Sequence, residues 1–106
     1  MKIHHVKINR PYLIALLSGR KPFEFRKNDR DYQPGDLVRL YEVVPDNVHG
    51  GQAFTGRTVM IAIDTVWHLG DVDPAVREYV IFTFRVREAL RMDPEYAKER
   101  YEREQE

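Results

Sequence analysis

Cysteine is absent from the 106 residues, which excludes disulfide frameworks, thiolate zinc sites and thiol catalysis. Long apolar runs are absent too. None approaches the roughly 20 residues of a membrane-spanning helix, and Met1-Lys2-Ile3-His4-His5 lacks the apolar stretch of a secretion signal. The expectation is a cytoplasmic chain with no membrane association. Net charge is also missing, because 17 basic residues meet 17 acidic ones. Hydrophobic residues make up 42% and charged residues 32%, enough for one small core under a solvated surface but not for two.

The zero net charge hides an asymmetry. Residues 1–40 hold nine Lys/Arg against four Asp/Glu, residues 41–87 hold four against six, and residues 88–106 hold four against seven. The front of the chain is basic and its tail acidic. A basic segment attracts phosphates even on a neutral molecule, although mixed charges also simply solvate a surface.

Period-two patterns dominate what is present. Lys2 to Ile8 alternates and predicts a first strand. Asn9-Arg10-Pro11 predicts a helix start with Asn9 as cap, and Leu13, Leu16 and Leu17 form one stripe that ends at Ser18-Gly19. In Phe23-Glu24-Phe25-Arg26-Lys27 the two phenylalanines share one face and Glu24 and Arg26 the other. Phe23 and Phe25 are the expected core face. Gln33-Pro34-Gly35-Asp36 reads as a type II turn. Strands are predicted over Leu37–Val44, Thr58–Trp67 and Tyr79–Val86, with a loop over Pro45–Gly56 and a connection over Leu69–Arg77. In the second of these strands Trp67 is in phase with Ile61 and Ile63, which points to the core, with base stacking as the alternative. Asp93-Pro94-Glu95 starts a tail helix whose large apolar residues are only Tyr96 and Tyr101, so it is expected to be exposed and frayed.

The fold class that follows is α+β, mostly β. Five short strands favour a small, mostly antiparallel barrel, with one helix after strand 1 and a C-terminal helix. The barrel is expected over residues 1–87 and an acidic helical tail over 88–106.

The segment Ser18-Gly19-Arg20-Lys21-Pro22-Phe23-Glu24-Phe25-Arg26 resembles the Gly-x-Lys-x-x-Glu-x-Arg signature of the ASCH domains of the PUA-like superfamily. Its continuation through Tyr32-Gln33-Pro34-Gly35-Asp36, with the strand Glu78 to Phe84, resembles a small bacterial and phage branch of largely uncharacterised function. The resemblance implies a PUA-like β-barrel with a cleft beside the signature strand. It also implies recognition of RNA or a nucleotide. Some ASCH members are hydrolases of modified nucleosides or RNA. In the deacylase branch a Lys precedes a Thr nucleophile by three residues; Lys21 matches the Lys, but Glu24 occupies the Thr position, so that nucleophile is missing.

The residues by themselves allow this reading beside a plainer one. Two positions apart on a strand is about 6.6 Å on one face, so Glu24 and Arg26 can share a ligand or pair with each other. Arg26 can fork onto a phosphate, and Glu24 can accept from an exocyclic amine or hold Arg26 in one rotamer. Lys21 precedes Pro22 and can reach the cleft mouth. The competing reading is a surface ion pair that contributes about 0–1 kcal/mol. The candidate ligand-binding residues are Lys21, Glu24, Arg26, Lys27 and Glu42, the last in phase with Val38 and Leu40 and expected as a second carboxylate near the cleft. If the protein is an enzyme, Lys21 and Glu24 are its catalytic candidates. His4, His5, His49 and His68 lack metal-ligand spacing, and no metal or cofactor is expected. Three functions stay open: RNA binding, hydrolysis of a modified nucleoside or RNA, and a protein-interaction module with the charged tail as its contact.

Overall fold

The structure, a computed structural model, describes residues 1–105. The elements run β1 (Ile3–Asn9), α1 (Arg10–Leu17), β2 (Phe23–Lys27), β3 (Leu37–Pro45), β4 (Gln52–His68), two 3-10 turns at Leu69–Asp71 and Pro74–Val76, β5 (Tyr79–Arg91) and α2 (Pro94–Arg103). One five-stranded sheet has the order β1-β3-β4-β5-β2 and curls into a half-barrel. Only β1 and β3 run parallel; the other pairs are antiparallel. The fold is α+β and mostly β, as the alternation predicts.

The concave face of the sheet holds the core. Val6, Ile8, Val38, Leu40, Val59, Ile61, Ile63, Val80 and Phe82 are buried there together with Leu13 and Leu16 of α1 and with Tyr32. Pro11 sits in the first turn of α1, and Gly19 leaves its end at φ 81°, a left-handed conformation that suits glycine. Asn9 stands at the N-cap position but its side chain makes no cap; its Oδ1 accepts from Gln52 Nε2 at 3.0 Å instead. The Pro34-Gly35 turn forms as expected, with Gly35 at φ 88° and Asp36 N–H donating to the Gln33 carbonyl.

Strand limits differ from the sequence expectation in two places. The loop expected over Pro45–Gly56 shrinks to a tight reversal, because Val43, Val44 and Pro45 pair with Phe54, Ala53 and Gln52. Asp46 closes it by accepting from the backbone N–H groups of Val48 and His49. At the other end β5 continues past Val86 to Arg91, paired with β4 back to Arg57. Arg85 to Arg91 is exposed on both faces, so no apolar alternation marks this extension in the sequence. The boundary expected between Arg87 and Glu88 falls inside this strand.

Two side-chain placements reverse the sequence reading. Phe23 and Phe25 are 39% and 48% exposed, whereas Glu24 is 1% exposed. The signature strand therefore turns its carboxylate, not its phenylalanines, toward the concave side, where Glu24 pairs in register with Phe82. Trp67 is 52% exposed rather than in the core. A register shift between Ile63 and Thr65 changes the phase of β4, so Trp67 leaves the face that Ile61 and Ile63 occupy.

The tail helix is also not an exposed appendage. Ala97 is buried, and the Tyr101 ring packs on Tyr41 and Phe54 at centroid distances of 5.5 Å each. Asp93 caps the helix by accepting from the N–H groups of Glu95 and Tyr96. At its far end Gln105 Nε2 donates to the His5 carbonyl of β1. No helix among the described residues is long and apolar enough to cross a membrane.

Candidate functional site

The half-barrel is open between its two edge strands, β1 and β2. Across this seam lies a cleft of about 640 Å³. Its walls are Val6–Asn9 of β1, Tyr12 of α1, Lys21, Glu24–Lys27, the loop residues Asp29, Arg30 and Tyr32, and Tyr101 of α2. Four of the five candidate residues, Lys21, Glu24, Arg26 and Lys27, line it together.

Glu24 organises the centre. Lys21 Nζ donates to Oε1 at 2.7 Å, and Arg26 Nε donates to Oε2 at 2.8 Å. A carboxylate buried this deeply is costly unless paired, and both oxygens are paired here. The two cations keep their heads at the surface, with side chains 24% and 21% exposed. The cluster thus carries one net positive charge that faces the cleft. Lys21 also lies 5.2 Å from the Tyr12 ring centroid, a cation–π contact that fixes its direction. Arg26 has a second duty: its Nη2 donates to the Lys7 carbonyl at 3.0 Å and so ties β2 to β1 across the seam.

The charge balance of the whole lining follows the same sign. Lys7, Lys21, Arg26, Lys27 and Arg30 face two carboxylates, Glu24 and Asp29. The aromatic wall is Tyr12, Phe25, Tyr32 and Tyr101. Burial pushes the Tyr32 phenol above its ordinary pKa, against the pull of Arg26 and Arg30, so it stays a neutral hydroxyl. Lys7 Nζ sits 5.5 Å from the Tyr101 ring centroid. Arg30 is held by Gln105, whose Oε1 accepts at 2.6 Å.

Sequence reasoning did not find Lys7, Tyr12, Arg30 or Tyr101. Lys7 and Arg30 belong to the basic front of the chain, a signal that was visible but not local. Tyr101 carries no signal that separates it from a solvated tail residue, because its partners Tyr41 and Phe54 are distant in sequence.

Glu42 is not among the cleft residues. It is buried at the end of β3, where Oε1 accepts from Thr55 Oγ1 at 2.7 Å and from Arg10 at 3.4 Å. Its Oε2 has Arg57 Nη1 at 3.8 Å and, among the described residues, no hydrogen-bond partner.

His4 and His5 serve the scaffold. His4 bonds Asp36 at 2.7 Å, and His5 bonds the Tyr41 hydroxyl at 2.7 Å while Glu104 lies 3.7 Å from its other nitrogen. Burial lowers the His5 pKa, and Glu104 opposes this. For Asp36, burial pushes the pKa up, but hydrogen bonds from His4 and from the Lys2 and Gln33 N–H groups outweigh it and hold the carboxyl below its ordinary value.

Residues 3–84 match the family model described as a domain of unknown function, DUF3850. The chain is also similar to an uncharacterised 12.9 kDa protein in the GpA 3′ region of Escherichia phage P2, at 43% identity over 70 residues. That stretch is 66% of this chain and 59% of the relative, so the chain spans less than two thirds of the relative's length. The matched family segment contains the Lys21–Glu24–Arg26 cluster and ends before α2, which supplies Tyr101 to the cleft wall.

Proposed function

The chain belongs to the DUF3850 family, and we propose that it is a binding domain that takes RNA, or a nucleotide, into the cleft between β1 and β2. The observation that carries this reading is the Lys21–Glu24–Arg26 cluster in an aromatic-walled cleft with an excess of cations. A nucleotide presents a phosphate and a flat base, which are the two groups that such a lining suits. Lys21 and the outer guanidinium edge of Arg26 meet the phosphate as preset donors, because Glu24 has already fixed both side chains. The rings of Tyr12 and Tyr101 offer faces for a base. The resemblance of Gly19 to Arg26 to the ASCH signature supports the same ligand class.

A hydrolase reading fits less well. Both Glu24 oxygens already accept from cations and the side chain is buried, which holds the carboxylate as an ion-paired anchor rather than exposing it as a base to a substrate proton.

The test is titration of the protein with single-stranded RNA and with uridine monophosphate, beside the Lys21→Gln variant. Loss of one phosphate contact is expected to weaken both ligands by roughly ten-fold. Equal affinity of the variant and the parent, or no binding of either ligand at low salt, overturns the reading. Turnover of a modified nucleoside that disappears in Glu24→Gln would favour the hydrolase instead.

A further inference from the structure

The convex face of the sheet beside the cleft is unusual for an exposed surface. The solvent face of an antiparallel sheet is ordinarily polar. Here Phe23, Phe25 and Trp67 stand on it, 39%, 48% and 52% exposed. The strand register sets them in rows: Phe23 beside Thr83 and Thr65, Phe25 beside Ile81 and Trp67, and Lys27 beside Tyr79. Phe25 and Trp67 are two strand spacings apart, about 10 Å, with Ile81 between them. Phe25 is also stacked on Tyr79, with ring centroids 5.2 Å apart and planes at 9°. These rows hold one cation, Lys27, and no carboxylate.

The face is continuous with the cleft. Phe25 and Lys27 belong to both, because β2 is an edge strand and the cleft opens along it. A strand of nucleic acid that leaves the cleft over this edge meets Phe25 and then, across Ile81 of β5, Trp67.

We propose that the outer face of β2, β5 and the end of β4 is a base-stacking track for single-stranded RNA that continues out of the cleft. The proposal rests on the nucleotide reading of the cleft. Bases stack on the exposed rings of Phe25 and Trp67, Lys27 neutralises a phosphate between cleft and track, and the Thr65 and Thr83 hydroxyls supply hydrogen bonds that suit any base. Stacking on such rings tolerates sequence, so the track adds affinity for length rather than for a motif. The charge of the rows and their continuity with the cationic cleft favour nucleic acid over a protein partner.

Trp67 is the sole tryptophan, so its fluorescence reports on this face alone. The full-length protein is titrated with uridine monophosphate, followed by calorimetry, and with a ~10-nucleotide oligouridylate, followed by both methods. The expected result is that the oligonucleotide quenches Trp67 and binds about ten-fold or more tighter than the mononucleotide. Trp67→Ala is expected to lose that gain and keep mononucleotide affinity, and Trp67→Phe to retain most of it. If the mononucleotide binds but the oligonucleotide neither quenches Trp67 nor binds tighter, the track is overturned and the cleft reading stands. If neither ligand binds, both fall. If sedimentation shows a dimer that Trp67→Ala dissociates, the face is an interface between copies of the chain, and the track is overturned.

Discussion

Arg26 and Phe25 are adjacent in sequence and do opposite work. Arg26 joins the buried Glu24 carboxylate to the β1 backbone, whereas Phe25 lies half in solvent against Tyr79. Arg26→Ala leaves Glu24 with a single cation and unties the seam, at an expected cost of about 1.5–3 kcal/mol. Phe25→Ala loses one exposed stacking contact and is expected to cost about 0.5–1.5 kcal/mol. Denaturant melts of the two variants check the order; a larger loss for Phe25→Ala would return that ring to the core. Loss of ligand binding in Arg26→Ala therefore mixes a site effect with a scaffold effect; Lys21→Gln also takes a cation from Glu24 but keeps a side-chain amide donor and leaves the seam bond to Lys7 in place, which makes it the cleaner probe of the cleft.

His5 and Asp36 both contribute to the acid side of stability. His5 is held below its ordinary pKa by burial, so the native chain binds fewer protons there than the unfolded chain. Its contribution is complete above about pH 6.5 and is lost as pH falls through the lower folded value. Asp36 has the same sign, complete above about pH 3.9 and lost on further acidification. Thermal midpoints are expected to hold near neutrality and to begin falling below about pH 6.5. In His5→Gln the first part of that fall disappears; an unchanged profile would remove His5 from the account.

At the scale of elements, α2 and the extended end of β5 act as one unit with β4. Gly56 in β4 adopts φ 93°, and a Cβ there would stand 2.0 Å from the Met92 carbonyl oxygen. The Met92 N–H donates to the Gly56 carbonyl, so this close approach is what hands the chain from β5 to α2. Gly56→Ala is expected to cost more than about 2 kcal/mol, from left-handed strain and the clash together, and a melt within 1 kcal/mol of the parent would contradict this approach. Removal of residues 93–106 is expected to lower the thermal midpoint by more than about 8 °C, because it uncovers Tyr41 and Phe54. A smaller shift would mean that α2 is the loose appendage its sparse apolar pattern suggests. The same truncation removes Tyr101 from the cleft wall and frees Arg30 from Gln105.

Across the whole molecule the charge sums to zero, yet the cleft concentrates cations. A neutral molecule gives little long-range steering, so the proposed binding of RNA has to draw on the few cations at the seam. Affinity for single-stranded RNA is expected to fall as salt rises, with a logarithmic slope of about −0.7 for each phosphate neutralised, and Lys21→Gln to reduce that slope by about 0.7. Filter binding across a salt series measures both. A slope near zero would mean that the cationic lining does not meet phosphates.

Local sequence pattern is enough to mark the existence of the elements and the fold class, though not every strand limit. Alternation marks all five strands, the leucine stripe marks α1, Pro34-Gly35 marks its turn, and the signature segment brings together the charged cluster. Each of these depends only on near neighbours, and near neighbours are what periodicity records. The tertiary structure alone decided which face of each strand points inward. A period of two is symmetric between faces, and β2 offered phenylalanines on one side and charges on the other. Burial went to Glu24 because Lys21 and Arg26 neutralise both of its oxygens while Phe82 packs beside it. The fate of Trp67 turned on a register shift in β4 that no local pattern announces. The place of α2 turned on Tyr41 and Phe54, which receive Tyr101 from about 50 residues away along the chain, a separation over which hydrophobic periodicity carries no information.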